Sequence, residues 1–264
     1  MLLSGIYRIL RPLGGGGLGK VYLAYHENLK KYVVVKKVKE NCVNLINCRL
    51  EADILKSLHH CYLPQVYDFF QIGSGIYTVM DYINGYDMQF WLDKRWPLEE
   101  KQLLKWLRQL CEVLDYLHTR TPKVLHCDIK PANIMVAETG EICLIDFNIS
   151  IDGENSKRLV GISSRYASPE QVRQAEQILT SEDESKVKID ERSDLYSLGA
   201  VFYRLMSGLM PEKRRVDGIR LADMELPYSD GLVHIVDKLM ANERTRRFAS
   251  AGKVLEALDG LELW

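Results

Sequence analysis

The sequence predicts an α+β fold: a β-rich first part carrying one main helix, then a mainly helical second part. Three observations predict it. From Tyr7 to Val38, β-branched and aromatic residues run around a glycine cluster, the pattern of strands joined by tight turns. Leu103, Leu107, Leu110, Leu114 and Leu117 recur by fours and threes, which makes a helix with one apolar stripe ending near His118. Beyond it, His126-Cys127-Asp128-Ile129-Lys130-Pro131-Ala132-Asn133 lies between the apolar runs Lys123-Val124-Leu125 and Ile134-Met135-Val136, and reads as a loop anchored at both ends. With 264 residues, 47% hydrophobic and 27% charged, the chain can bury one large domain or two lobes.

Composition also excludes classes. A net charge of −1 gives no support for a protein that coats nucleic acid or lies on a membrane surface. No run of about 18 uncharged apolar residues exists, so no membrane span is expected. Met1-Leu2-Leu3-Ser4-Gly5 is too short and uncharged to read as a signal peptide. The cysteines, Cys42, Cys48, Cys61, Cys111, Cys127 and Cys143, form no C-x-x-C pair and no zinc-spaced cluster. They read as reduced thiols, mostly small core residues, of a cytoplasmic protein.

Taken in order, Leu13-Gly14-Gly15-Gly16-Gly17-Leu18-Gly19-Lys20-Val21-Tyr22 contains G-x-G-x-x-G-x-V at Gly14, Gly16, Gly19 and Val21. Glycines let backbone N–H groups approach phosphate oxygens closely. A dinucleotide-binding fold needs a helix directly after such a run. Here Lys20 to Tyr25 continues as a strand, which favours a hairpin lid. Tyr32 to Val38 is a β-branched strand carrying Lys36 and Lys37. Val43 to Leu58 reads as a helix, with Leu50, Ile54 and Leu58 at helical spacing. Gln65–Phe70 and Ile76–Met80 read as strands joined by Gly73-Ser74-Gly75. Asp87 begins a helix and suits its cap.

In the second part, Ile142 to Ile145 reads as a buried strand running into Asp146-Phe147-Asn148. Gln171 to Ser193, with interleaved acids and lysines, reads as a solvated loop; a docking surface is the alternative. Helical patterns follow at Leu198–Leu205, Leu232–Met240 and Ala251–Leu258. Within the anchored loop the chemistry converges. Asp128 can accept a proton from a hydroxyl, Lys130 can neutralise a phosphoryl group in transit, and Asn133 can offer an oxygen to a hard cation.

In order and spacing, these motifs resemble the eukaryotic-type (Hanks-type) Ser/Thr protein kinases, most of all their compact bacterial members, from about Tyr7 to Leu258. The resemblance implies a bilobal protein kinase-like fold, with residues 1–83 as the first lobe and hinge and residues 84–264 as the second. It implies a γ-phosphoryl transfer from Mg-ATP to a protein Ser/Thr hydroxyl, with Mn2+ able to substitute. Asp128 and Lys130 take the catalytic roles, and Asn133 and Asp146 hold the metal. The nucleotide falls to Leu13 through Gly19, Val21, Val34, Lys36 with its partner Glu51, Met80, the backbone of Asp81 and Ile83, Asp87 at the ribose, and Met135. V-x-x-K selects Lys36 over Lys37. Ser168-Pro169-Glu170 resembles A-P-E, with Arg247 as the partner of Glu170, and Asp194 resembles the aspartate that braces the catalytic loop.

Three departures stand out: Val34 for alanine, Cys127 for arginine, and Asn148 for the glycine of D-F-G. They keep open a nucleotide-binding pseudokinase or scaffold. A kinase of small molecules is the other alternative, against which stand Glu170, Asp194 and Arg247. Arginine at the second loop position can pair with a phosphorylated activation segment. Cysteine cannot, so activity is expected not to require such phosphorylation.

Overall fold

The computed structural model describes residues 2–16, 19–38, 54–94, 98–146, 150–151, 165–180, 187, 189–212 and 217–261. Gly17, Leu18, Glu51, Phe147, Asn148 and the serines at 163 and 164 lie outside the described residues. The chain divides into two units, Met1–Asn84 and Gly85–Trp264.

The first unit is built on a six-stranded antiparallel sheet. Its strands are β1 (Leu2–Leu3), β2 (Tyr7–Gly16), β3 (Gly19–His26), β4 (Lys31–Val38), β5 (Val66–Ile72) and β6 (Gly75–Asp81), in the order β1-β2-β3-β4-β6-β5. The glycine-rich stretch is the far end of the β2–β3 hairpin, where Gly16 pairs with Gly19. Residues 54–57 are helical.

Alternation along each strand sorts the sheet into two faces. One buries Leu3, Tyr7, Ala24, Val33, Val35, Tyr77 and Val79 as a core, against which Ile6, Ile9, Tyr67 and Phe70 pack. Tyr7 stacks on Phe70 with centroids 5.7 Å apart, and its hydroxyl donates to Asp68 Oδ2 at 3.0 Å. The opposite face takes the alternate residues. Val34 pairs with Leu23 and Met80, and Lys36 pairs with Val21 and Thr78.

The second unit is mainly helical: α1 (Met88–Lys94), α2 (Glu100–His118), α3 (Pro169–Thr180), α4 (Glu191–Ser207), α5 (Asp230–Leu239) and α6 (Ala251–Asp259). The leucine stripe of α2 is its buried face, with Leu103, Leu107, Leu110, Leu114 and Leu117 fully covered together with Trp106. Helix α4 is buried nearly all round, from Ser193 through Tyr203. It starts under the cap of Asp190, whose carboxylate accepts from Arg192 N. It ends at Gly208 with φ 70°, the left-handed closure glycine allows. Small sheets complete the unit: β7 (Gly85–Asp87), β9 (Ile134–Ala137) and β10 (Ile142–Leu144) in the order β10-β9-β7, and β8 (Val124–Leu125) with β11 (Ser150–Ile151). The loop from His126 to Asn133 therefore hangs between β8 and β9, as its apolar flanks require.

One expectation is corrected. The first half of the stretch from Gln171 to Ser193 is not a solvated loop: α3 covers residues up to Thr180, and Gln171 and Gln174 are buried. Proline at its first position starts the helix readily. Two of its inward residues, one turn apart, are the glutamines Gln171 and Gln174, polar side chains that read as solvent-facing in the sequence.

Candidate active site

The anchored loop is held mainly through its backbone. Asp194, near the start of α4 and 1% exposed, accepts from His126 N at 2.9 Å and from Cys127 N at 2.8 Å. His118, at the end of α2, gives Asp194 a third bond from Nε2, 2.9 Å. Burial works to raise this carboxyl's pKa, but the hydrogen bond and charge of His118, with His126, hold it below the ordinary carboxylate value. The His126 ring is buried and used at both nitrogens. Nε2 donates to Ile145 O at 3.2 Å, and Nδ1 accepts from Asp128 N at 3.3 Å. Both bonds suit the neutral imidazole, and burial lowers its pKa against the pull of Asp194 and Asp128.

Cys127 has φ 63° and Asp146 φ 55°. A non-glycine residue in the left-handed region costs on the order of 1–3 kcal/mol and persists where surrounding bonds over-determine it. At Cys127 those bonds are the Asp194 carboxylate on its amide and Gln171 Nε2 on its carbonyl, at 3.0 Å. The Cys127 side chain is itself buried, in a small apolar cluster with Leu125 and Ile189.

Around Asp128 the side chains meet as the spacing suggested. Lys130 Nζ donates to Asp128 Oδ2 at 2.7 Å. Asn133 Nδ2 donates to the same oxygen at 3.1 Å, to Asp128 O at 2.9 Å and to Asp146 O at 3.5 Å. Asp128 Oδ1 is buried and accepts no hydrogen bond among the described residues. Asn133 uses only its amide nitrogen in these contacts, which leaves the amide oxygen for a cation. One carboxylate oxygen is thus tethered and its twin is held in place unused. A hard-cation site needs oxygens of this kind, and Asn133 with Asp146 suits Mg2+ by donor type.

The Glu170–Arg247 pair forms a second buried centre. Arg247 donates to Glu170 Oε1 at 2.6 Å and Oε2 at 2.9 Å, and to the carbonyls of Arg192, Ala241 and Asn242. All five guanidinium donors are therefore used. Ser193 Oγ adds a bond to Glu170 at 2.7 Å. Burial opposes ionisation of Glu170, yet Arg247 and Ser193 hold its pKa below the usual value.

In the first unit, Val21, Val34, Lys36 and Met80 share the sheet face opposite the core. Lys37 lies on the other face, its ammonium 5.8 Å from the Tyr77 ring centroid. The pleat thus separates the two lysines that sequence alone left adjacent. Leu13 and Gly14 are exposed near the hairpin end, and a Cβ at Gly15 would approach Gly19 O to 3.2 Å. Asp81 ends β6, and its carboxylate accepts from Lys31 Nζ at 3.0 Å, Gln65 N at 2.9 Å and the Tyr67 hydroxyl. Asp87 acts as the cap, its Oδ1 accepting from Phe90 N at 2.9 Å. Met135 pairs with Asp87 across β9 and β7. The sequence reading missed His118, Lys31, Tyr67 and Gln171. Each works through a partner far off in the chain, though Gln171 also stands in a local pattern, the S-x-x-Q spacing with Ser168 that opens α3.

The protein kinase domain family matches residues 7–253, and the chain belongs to it. The chain is similar to serine/threonine-protein kinase PrkC of Bacillus subtilis, 31% identical over 218 residues, covering 79% of this chain and 31% of that protein. It is also similar to serine/threonine-protein kinase pkn2 of Myxococcus xanthus, 28% identical with 98% and 32% coverage. Serine/threonine-protein kinase PknD of Chlamydia muridarum is 26% identical, with 96% and 31% coverage. The chain thus spans about a third of the length of these relatives. Among the described residues, no helix is long and apolar enough to cross a membrane.

Proposed function

We propose that this chain is an ATP-dependent protein serine/threonine kinase domain that transfers the γ-phosphoryl group to a Ser or Thr hydroxyl of a protein. The observation that carries this is the asymmetry of Asp128. Lys130 and Asn133 tie down Oδ2, while Oδ1 is buried, fixed and unengaged among the described residues. A substrate hydroxyl that reaches Oδ1 once a small turn of the partly exposed carboxylate uncovers it would be aimed, and its proton would have an acceptor. Lys130 neutralises charge on the moving phosphoryl group. Asn133 and Asp146 would hold Mg2+, or Mn2+ in its place, which when bound supplies charge neutralisation across the phosphates.

In the first unit, the face bearing Val21, Val34 and Met80 takes the adenine, and Lys36 steadies the α- and β-phosphates. Glu51 is its proposed brace. The glycine hairpin covers the phosphates, and the backbones of Asp81 and Ile83 pair with the adenine edge. On this reading the units Met1–Asn84 and Gly85–Trp264 are the two kinase lobes. The buried free thiols of Cys111, Cys127 and Cys143 support a reducing, cytoplasmic setting. The apolar burial of Cys127 supports activity without activation-segment phosphorylation.

The test is phosphate transfer from labelled ATP to a generic basic protein. Wild type is expected to label Ser and Thr, with Asp128→Ala and Lys36→Met near background and still folded. Equal labelling by wild type and Asp128→Ala removes the catalytic assignment. Tight Mg-ATP binding without transfer replaces it with a nucleotide-binding module. Activity surviving phosphatase treatment is the outcome expected from Cys127.

A further inference from the structure

We propose that Gln171 is a positioning residue for phosphoryl transfer, fixing the peptide that carries Asp128 and coupling it to the Ser168–Gln171 turn. This rests on the kinase reading above. Gln171 is fully buried and both ends of its amide are used. Ser168 N donates to Gln171 Oε1 at 2.9 Å, while Gln171 N donates to Ser168 Oγ at 3.3 Å. This reciprocal pair leaves the amide one orientation, in which Nε2 reaches the Cys127 carbonyl at 3.0 Å. That carbonyl belongs to the same peptide plane as Asp128 N–H, which donates to His126 Nδ1 at 3.3 Å. The plane is thus gripped from both edges, by Gln171 at the oxygen and by His126 at the hydrogen.

The grip matters because Cys127 sits at φ 63°. Relaxation toward the ordinary backbone regions would rotate this plane and swing the Asp128 carboxylate with it. Asp194 holds the two preceding peptides, through His126 N and Cys127 N, and not this one. The Cys127 side chain, packed with Leu125 and Ile189, carries no charge to make such a link. The coupling between turn and loop is therefore built from neutral, buried groups and stands without a phosphate.

Gln171→Glu and Gln171→Met separate positioning from mere packing. A Glu carboxylate cannot donate to Cys127 O. Its neutral acid can donate and accept as the amide does, and burial raises a carboxyl's pKa toward the working range. The nearby titrating groups His126 and Asp194 and the Glu170–Arg247 pair are common to all forms, so a ratio to wild type cancels them. Steady-state kinetics across about pH 5.5 to 8.5 should show the Gln171→Glu/wild-type kcat ratio rising as pH falls. Gln171→Met should stay about ten- to a hundred-fold down at every pH, with KM for ATP unchanged. Hydrogen exchange at the Asp128 amide should be faster in Gln171→Met.

A Glu ratio flat with pH, or a loss confined to KM, overturns the proposal. If Gln171→Met fails to fold, the pH profile of Gln171→Glu decides. A wild type without turnover removes the kinase reading instead. In that case equal Asp128 amide protection in wild type and Gln171→Met still overturns the positioning role.

Discussion

Asp194 in the second unit and Asp81 in the first are each held by three donors, and they are held differently. Asp194 receives two main-chain amides, His126 N and Cys127 N, and one buried imidazole. Asp81 receives one main-chain amide, Gln65 N, and two side chains from neighbouring strands, Lys31 and Tyr67. An anchor that grips amides is indifferent to the side chains it passes. That is why cysteine can stand at position 127 without loosening the loop. An anchor built on side chains depends on each identity. Burial widens the contrast: the Asp194 side chain is 1% exposed, while the Asp81 and Lys31 side chains are 29% and 40% exposed. Water screens the second cluster and hardly reaches the first.

The largest effect expected is from Asp194→Ala. It strands two buried amides and His118, so unfolding in urea should show a loss of about 3–5 kcal/mol, and transfer activity should fall to background. Asp81→Ala should cost about 1 kcal/mol, because its partners can turn to water. Equal losses would break the contrast.

The next effect is on pH dependence. His126 has a lowered folded pKa, so the unfolded chain binds its proton more readily. Its contribution is fully present above the ordinary His value of about 6.5 and is lost as pH falls through it. Asp194 and Asp81 also have lowered values, so their stability is present above about pH 3.9 and lost below it. Stability lost between about pH 7 and 5 should therefore flatten in His126→Gln and persist in Asp81→Asn. A chemical-denaturation series at several pH values checks this.

How much of this was legible follows from the same contrast. The apolar stripe of α2, the strands of the sheet and the loop between β8 and β9 announced themselves by periodicity and apolar flanks. The meeting of Asp128, Lys130 and Asn133 could be read because they sit within a few residues of one another. Asp194 and Arg247 were found only through the motifs around them. Lys31, Tyr67 and Asp81 are brought together by strand pairing, which no local spacing encodes. Helix α3 was passed over although Ser168 and Gln171 stand at capping-box spacing, because its charged residues read as a loop and its inward Gln171 and Gln174 are buried against distant partners, Cys127 O and Val187 O. A hydrophobicity pattern cannot report a polar face satisfied by distant carbonyls.

The smallest effect expected, Tyr67→Phe, sharpens the account of Asp81. The Tyr67 hydroxyl bonds both Lys31 Nζ and Asp81 Oδ1, and the Lys31 ammonium also lies 4.2 Å from the Tyr67 ring centroid. Phenylalanine keeps the ring and its packing and removes only the hydroxyl. Lys31 and Gln65 still reach the carboxylate. Stability should therefore change by only about 0.5 kcal/mol. The carboxyl's pKa is a finer probe. Burial pushes it up, and among the groups that pull it down the Tyr67 hydrogen bond leads, ahead of Gln65 N and Lys31. Removing the hydroxyl should raise the Asp81 pKa measurably in an NMR titration, with the fold intact. An unmoved pKa would mean that Gln65 N and the ion pair with Lys31 hold this carboxylate without the hydroxyl. Of the two side chains in the anchor, only the screened Lys31 contact would then count.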